Sequence, residues 1–338
     1  MEKDREFFWT GLSPEEARQA LADKDKSQRD KRMTLKEAVD TFIKNGDTIG
    51  VGGFVNVRQP IAIVHEMIRH GFKDLTLAFQ SAAMGIDFMG GAMMVRPDHF
   101  SFKRIELAYW AHEAYGITPT FRHLAENQMI EIEDWSNYNM SARFKAGSIG
   151  IPFIPTKGPI AGDIPSCNRT RIIDDPFTGK PIALLPAMNP NVGILHVQAA
   201  DKYGNCIIRG TDCTCPEIAM ASARTIVTCE QLVSHELITR NPKDITIPFP
   251  AVDAVVEVPF GAYPGGCRRF YYFNEDHIMD FFAAVVKMSR QGDDSVLKAY
   301  YDEYIFGVDT FEEYLAKFPL KKLMADQKAE FFNCERLR

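Results

Sequence analysis

Between Thr34 and Phe79 the chain alternates helical and extended patterns with only a few residues between them, and this alternation constrains its fold most. Thr34-Leu35-Lys36-Glu37 is a capping box, the reciprocal signature of a helix start. Leu35, Ala38, Val39, Phe42 and Ile43 then recur at helical spacing. Asn45-Gly46 ends that helix, and the apolar run TIGVGG (48–53) predicts a strand. Pro60 opens a second helix carrying Ile61, Ile63, Val64, Met67 and Ile68, which stops at Gly71, and LTLAF (75–79) predicts a second strand. Helix, strand, helix, strand in this rhythm predicts an α/β fold, with an open, mainly parallel sheet flanked by helices.

Further strands are predicted at RIELAYW (104–110), IPFIP (151–155), IALLP (182–186), VGILHVQAA (192–200), TIVTCE (225–230) and AVDAVVEVP (251–259). Several are continuous apolar runs, the pattern of strands buried on both faces. Helices are expected at 122–129, 136–149, 215–224 and 231–239. From about residue 275 the chain reads as a helical C-terminal segment, with Phe281, Phe282, Tyr300, Tyr301 and Tyr304 as core aromatics. Residues 1–33 read as a separate charged arm. Sixteen of residues 2–32 are charged, eight of each sign, and Ser13-Pro14-Glu15-Glu16 caps a short solvated helix.

Composition excludes several classes of function. A net charge of −6 and a pI of about 5.8 do not provide the basic stripe of a nucleic-acid-binding surface. No apolar run approaches the ~18 residues of a membrane span, and the N-terminal MEKDREFFWTGL alternates charges where a signal peptide needs an apolar stretch. The seven cysteines are irregularly spaced, which fits reduced thiols in a cytoplasmic protein. Cys213-Thr-Cys215 is their only close pair; without a second ligand pair, no metal site is expected.

The first strand ends in Gly52-Gly53. A dinucleotide fingerprint needs a third glycine where Val55 stands, and no P-loop pattern is present. A Gly-Gly pair at the carboxyl end of a buried strand lies where open α/β sheets bind ligands. Bare backbone there lets a ligand oxygen approach N–H groups, so Gly52, Gly53 and Phe54 are candidate catalytic residues forming an oxyanion turn. The bland alternative is a tight turn or a close helix–strand contact.

The stretch NGDTIGVGGFVNVRQP (45–60) resembles the signature of the family I coenzyme A transferases: Asn/Asp-Gly, a short apolar run, Gly-Gly-Phe and then Pro. Asn45, Gly46, Gly52, Gly53, Phe54 and Pro60 match it, whereas Gly50 replaces a larger apolar residue and Arg58 stands where many members have Gly. Arg58 with Pro60 is similar to the glutaconate CoA-transferase α-subunit branch. HVQAADKYGN (196–205), TIVTCEQLVSHELI (225–238) and VDAVVEVPFGAYP (252–264) continue the resemblance in order, with Tyr263 at a position often held by His. It covers roughly residues 34–318, leaving 1–33 as the arm and 319–338 as a C-terminal tail.

The resemblance implies an enzyme that moves CoA between carboxylic acids. A glutamate carboxylate attacks an acyl-CoA thioester and carries CoA as a glutamyl thioester. CoA is then a substrate, and no bound cofactor is expected. The family places that glutamate in a β-type subunit, in a Glu-Asn-Gly context. The only Glu-Asn here is Glu126-Asn127, in a polar stretch without the glycine, and it reads as solvated surface. The chain is therefore expected to be an α subunit with a β-type partner, in an α2β2 or larger hetero-oligomer. Arg58 either pairs with the distal carboxylate of a dicarboxylyl substrate or forms a surface or interface ion pair. Gln80 and Ser81 either bind substrate or cap the next helix. His196 is expected to be a satisfied core histidine, and Arg268-Arg269 a solvated loop. Competing readings are a relative of this fold that hydrolyses a ring-cleavage acyl-CoA and a non-catalytic scaffold subunit.

Overall fold

Seven parallel strands form the centre of the computed structural model, which describes residues 9–113 and 115–335. In chain order they are β1 (Thr48–Val51), β2 (Leu75–Ser81), β3 (Phe102–Tyr109), β4 (Glu131–Asp134), β5 (Val192–Asp201), β6 (Arg224–Val233) and β7 (Ala254–Glu257). Across the sheet they run β7-β6-β5-β1-β2-β3-β4, and Cys206–Ile207 folds back antiparallel on β5. The chain moves outward from β1 through β4, then returns to the other side of β1 to add β5, β6 and β7. The carboxyl ends of β1 and β5 thus flank a topological switch point, the crevice where such sheets take ligands.

The helices that cover the sheet follow from local signals. In α1 (Pro14–Asp23) and α2 (Leu35–Phe42) both expected capping boxes form: Ser13 pairs with Glu16, and Thr34 with Glu37. The apolar faces of α2 and α3 (Ile61–His70) join the sheet in one core, with Val39, Ile63, Met67, Leu77 and Phe79 all completely buried. Three helices follow: α4 (Met84–Val95), α5 (Pro119–Glu126) and α6 (Asn137–Ser148). The helical C-terminal segment comprises Glu275–Gln291, Ser295–Tyr301 and Leu320–Glu335. Its Phe281, Phe282, Tyr300 and Tyr301 are buried in the core.

Several expectations need correction. The sequence signals missed α4. It is buried along its whole length, so it lacks an amphipathic stripe, and Gly90-Gly91 weakens its intrinsic helical signal. Polar EIED (131–134) is an edge strand, exposed except at Glu133. IPFIP and IALLP do not enter the parallel sheet; Pro181–Pro186 is the middle strand of a small separate sheet and pairs antiparallel with Phe153–Thr156 on one side and Arg171–Asp174 on the other. The helix expected at 231–239 shrinks to His235–Ile238, because β6 runs on to Val233. Among the described residues no helix is long and apolar enough to cross a membrane.

Residues 1–8 of the expected arm, including most of MEKDREFFWTGL, lie outside the described residues, as do 336–338 of the tail. From Thr10 onward the arm is tied to the body at several points, while residues 25–30 are exposed. Leu12 N–H donates to the Asn189 carbonyl at 2.9 Å, and residues 31–33 pair along the free edge of β7 through Val255. This pairing covers part of a sheet edge that would otherwise expose unpaired backbone. Lys24 is buried and ion-paired with Asp253 at 2.7 Å.

Candidate functional site

The turn after β1 is held from three sides. Gly52 N–H donates to the Ile194 carbonyl of β5 at 3.0 Å, and Val55 N–H to the Ser81 carbonyl of β2 at 3.1 Å. Arg58 N–H donates to Gly266, and Gly266 N–H donates back to Asn56. Phe54 and Val57 exchange backbone hydrogen bonds, closing a tight loop over Val55 and Asn56. The loop is strained: Val55 has φ 49° and Arg58 φ 55°, in the left-handed region that side chains disfavour. It also concentrates buried polar atoms without a hydrogen-bond partner among the described residues: Asn56 Oδ1, Arg58 Nε and Gln59 Oε1. Strain and unsatisfied polar groups together are the marks of a functional segment.

The turn does not present the two-donor oxyanion arrangement expected from the glycine pair. The N–H of Gly52 is used by Ile194, and that of Phe54 by Val57 at 2.8 Å. Only Gly53 N–H meets a weak acceptor, the Cys215 thiol, at 3.2 Å. The glycines are required by space and conformation instead. A Cβ on Gly52 would lie 2.1 Å from Leu195 Cδ2. Gly53 has φ 91°, and a Cβ there would lie 2.7 Å from the Arg58 carbonyl oxygen. Small residues at these positions let the chain fold back so that Arg58 returns to the switch point.

Arg58 is 1% exposed, so it is not a surface residue. Its Nη2 donates to the Thr211 carbonyl and its Nη1 lies 3.6 Å from Cys215 Sγ. Neither acceptor is a carboxylate, and among the described residues no carboxylate pairs with this guanidinium. Buried charges normally have an ionic partner, since desolvation is costly.

Gln80 and Ser81 end β2 beside this turn, but both side chains are engaged. Thr214 Oγ1 donates to Gln80 Oε1 at 2.6 Å, and Ser81 Oγ donates to Asn137 Oδ1 at 2.9 Å. Neither caps α4, whose N-cap position is Ala83 without a side-chain bond. Gln80 reaches the loop before the short helix Cys215–Ala221, and Ser81 the start of α6. Next to them Tyr138, Ser141, Lys145, Cys213, Thr214 and Glu217 line a cleft of about 270 Å³. Burial pushes the Cys213 thiol up to about 11, so this half-buried cysteine is held as a neutral thiol.

Other singled-out residues lie elsewhere. Glu126 is exposed at the end of α5 and pairs with Arg122 at 3.2 Å. His196 is fully buried with both nitrogens bonded, to Thr228 at 2.9 Å and Glu230 at 2.7 Å. Ligand atoms of His196, Glu230 and Cys267 come within 4.8 Å of one another, the geometry of a small metal nest. Glu230, however, already binds His196, the Tyr271 hydroxyl and the Phe260 N–H, so this cluster satisfies itself. Arg268 pairs with Glu330 at 3.4 Å, and Arg269 N–H donates to the same carboxylate. Tyr263 is buried and donates to Asp326 of the C-terminal helix. Sequence reasoning missed Cys215, Thr211 and Gln59. Cys215 stands in the only close cysteine pair, but that spacing points to a metal site and not to a thiol facing an arginine.

The coenzyme A transferase family model matches residues 32–258. An uncharacterized protein of Archaeoglobus fulgidus is 38% identical over 89% of this chain, which spans 65% of that longer protein. The A subunit of 3-oxoadipate CoA-transferase from Pseudomonas knackmussii is 31% identical over 84% of this chain and 97% of its own. The crystal structure of glutaconate coenzyme A-transferase from Acidaminococcus fermentans superposes with a TM-score of 0.80 at 28% identity, covering 87% of this chain and 94% of that one. With the family model spanning the sheet from the arm's end through β7, and the glycine turn at its switch point, the chain belongs to the coenzyme A transferase family.

Proposed function

We propose that this chain is the α-type subunit of an enzyme that moves CoA between carboxylic acids, with dicarboxylyl groups among its substrates. The buried Arg58 guanidinium carries this reading. It sits at the switch point with no carboxylate partner among the described residues, and a substrate's distal carboxylate would supply the missing counter-charge. Glutaconate and 3-oxoadipate, which name two of the relatives, are both dicarboxylic acids. The transferring residue is a glutamate of a β-type partner. Its carboxylate attacks the thioester carbonyl and CoA leaves as a thiolate; the thiolate attacks the glutamyl carbonyl of the mixed anhydride and releases the first carboxylate, and the second carboxylate then takes CoA from the glutamyl-CoA thioester by the same steps in reverse, freeing the glutamate. In this chain the turn at Gly52, Gly53 and Phe54 sets the backbone, Arg58 orients the acyl group, and Gln80 and Ser81 brace the walls. The assembly is α2β2 or larger and resides in the cytoplasm; residues 34–318 form its α/β unit, with 1–33 and 319–338 as arm and tail.

The purified chain alone is expected to show no CoA transfer, and activity should appear when a β-type subunit carrying Glu-Asn-Gly is added. Steady-state assays of the chain with and without that partner decide this. Saturable transfer by the chain alone would overturn it. A partner lacking Glu-Asn-Gly, with thioester hydrolysis in place of transfer, would favour the hydrolase reading.

Arg58→Ala is expected to raise KM for dicarboxylyl substrates by roughly ten- to a hundredfold, the ~1.5–3 kcal/mol of a hydrogen bond to a charged group, while monocarboxylyl substrates change little. Equal effects on both classes would make Arg58 a structural residue.

A further inference from the structure

We propose that Cys215 is a positioning residue for this site, its thiol holding the Arg58 guanidinium and the glycine turn in mutual register. The inference rests on the reading of Arg58 as a carboxylate-binding group. Cys215 is 1% exposed, and its Sγ accepts from two groups of the turn that are distant from it in sequence. Gly53 N–H reaches it at 3.2 Å and Arg58 Nη1 at 3.6 Å. Among the described residues no other side-chain atom joins the turn to the guanidinium's free end. The same loop fixes the rest of the group, since Thr211 accepts from Nη2 and Thr214 ties the loop to Gln80.

Sulfur suits this role because it is large, soft and a weak acceptor. It keeps both donors aimed at one point without neutralising the guanidinium. Arg58 Nε has no hydrogen-bond partner among the described residues, so the group keeps capacity for an anionic oxygen. An aspartate at the same place would give Arg58 an internal counter-ion and close the site to substrate. The position also explains part of the glycine requirement: a Cβ on Gly52 would lie 3.2 Å from the thiol sulfur, inside comfortable contact.

The test uses the full chain and glutarate as probe, followed by calorimetric titration, with transfer kinetics of the reconstituted complex measured in parallel. Cys215→Ala should weaken glutarate binding roughly tenfold, as expected when a charged donor loses an acceptor. Cys215→Ser, which keeps an acceptor, should recover most of that loss. In an Arg58→Met background the Cys215→Ala effect should vanish, since the thiol acts through the guanidinium. Should the alanine variant melt early, Cys215→Val fills the space without an acceptor and is expected to show the same loss. Alanine and serine variants that bind alike, an effect that persists without Arg58, or a wild type with no glutarate affinity would overturn the proposal. Failure of the transferase reading looks different: glutarate binding would follow the pattern above while no partner elicits transfer.

Discussion

Gly53→Ala is expected to lower turnover of the reconstituted complex by roughly 10²-fold and to lower its melting temperature. The cause is conformational. Gly53 sits at φ 91°, where a side chain is strained by about 1–3 kcal/mol, and its new methyl group would stand 2.7 Å from both the Arg58 carbonyl oxygen and Gln59 Nε2. The first of these neighbours is backbone, so the turn itself must move, and Arg58 moves with it. A displacement on the order of 1 Å in a positioning group is enough to cost ~10²-fold in rate. Because the turn also bonds Gly266 and Ser81, part of the strain will spread and appear as lost stability. Kinetics, a thermal melt and a size measurement of the complex are read together. An intact complex with raised KM for dicarboxylyl substrates and low kcat is the expected result. Unchanged turnover and melting would show that the turn re-forms around a Cβ and that its glycines are dispensable.

The glycine turn shows where sequence reasoning reaches its limit. Gly52, Gly53 and the strand before them locate the site, because a buried strand ending in paired glycines is legible from residue types alone. The direction of each N–H is not legible: it depends on Val57 within the turn, on Ile194 across the sheet and on Cys215 at the start of a short helix more than 150 residues away. The same holds for Arg58. Its place in the signature was visible, but its burial follows from contacts with Thr211 and Cys215 that no local pattern encodes. The parallel sheet was readable because β1, β2, β5 and β6 are apolar runs with clear punctuation. The edge strand β4 was not, because a short, largely exposed strand with three carboxylates in four residues looks like a loop. Helix α4 failed for the opposite reason, being apolar all round and without a cap. The arm's charges read as solvation, whereas Lys24 and Lys31 are buried against backbone carbonyls and, for Lys24, Asp253.

A second large effect lies away from the glycine turn. Glu106, on β3, is fully buried and collects three guanidinium groups. Arg143 of α6 pairs with it at 2.7 Å, Arg104 at 3.2 Å, and Arg169 closes the cluster, with the Thr10 hydroxyl of the arm donating as well. Arg143 is equally buried and stacks on the Trp135 ring at 4.0 Å, so it has no route to water. Glu106→Gln is therefore expected to destabilise the fold by about 3–5 kcal/mol, the cost of leaving a buried charge uncompensated. Adding Arg143→Met should restore part of the loss, since it removes the stranded cation. The pH dependence follows from the same cluster. Burial alone would raise the Glu106 carboxyl, but the Arg143, Arg169 and Arg104 charges outweigh it and hold it at about 2, below its ordinary 4.5. A carboxyl depressed on folding stabilises fully above its unfolded value and loses that contribution as pH falls through the folded one. The gap between wild type and Glu106→Gln should thus be widest near pH 7 and narrow steadily between pH 4.5 and 2. Urea unfolding of both proteins at several pH values measures it. A gap below about 1 kcal/mol at neutral pH, the scale of an ordinary surface pair, would mean that the arginines find other partners. A gap that does not shrink with acid would show that the lost stability is packing and not charge.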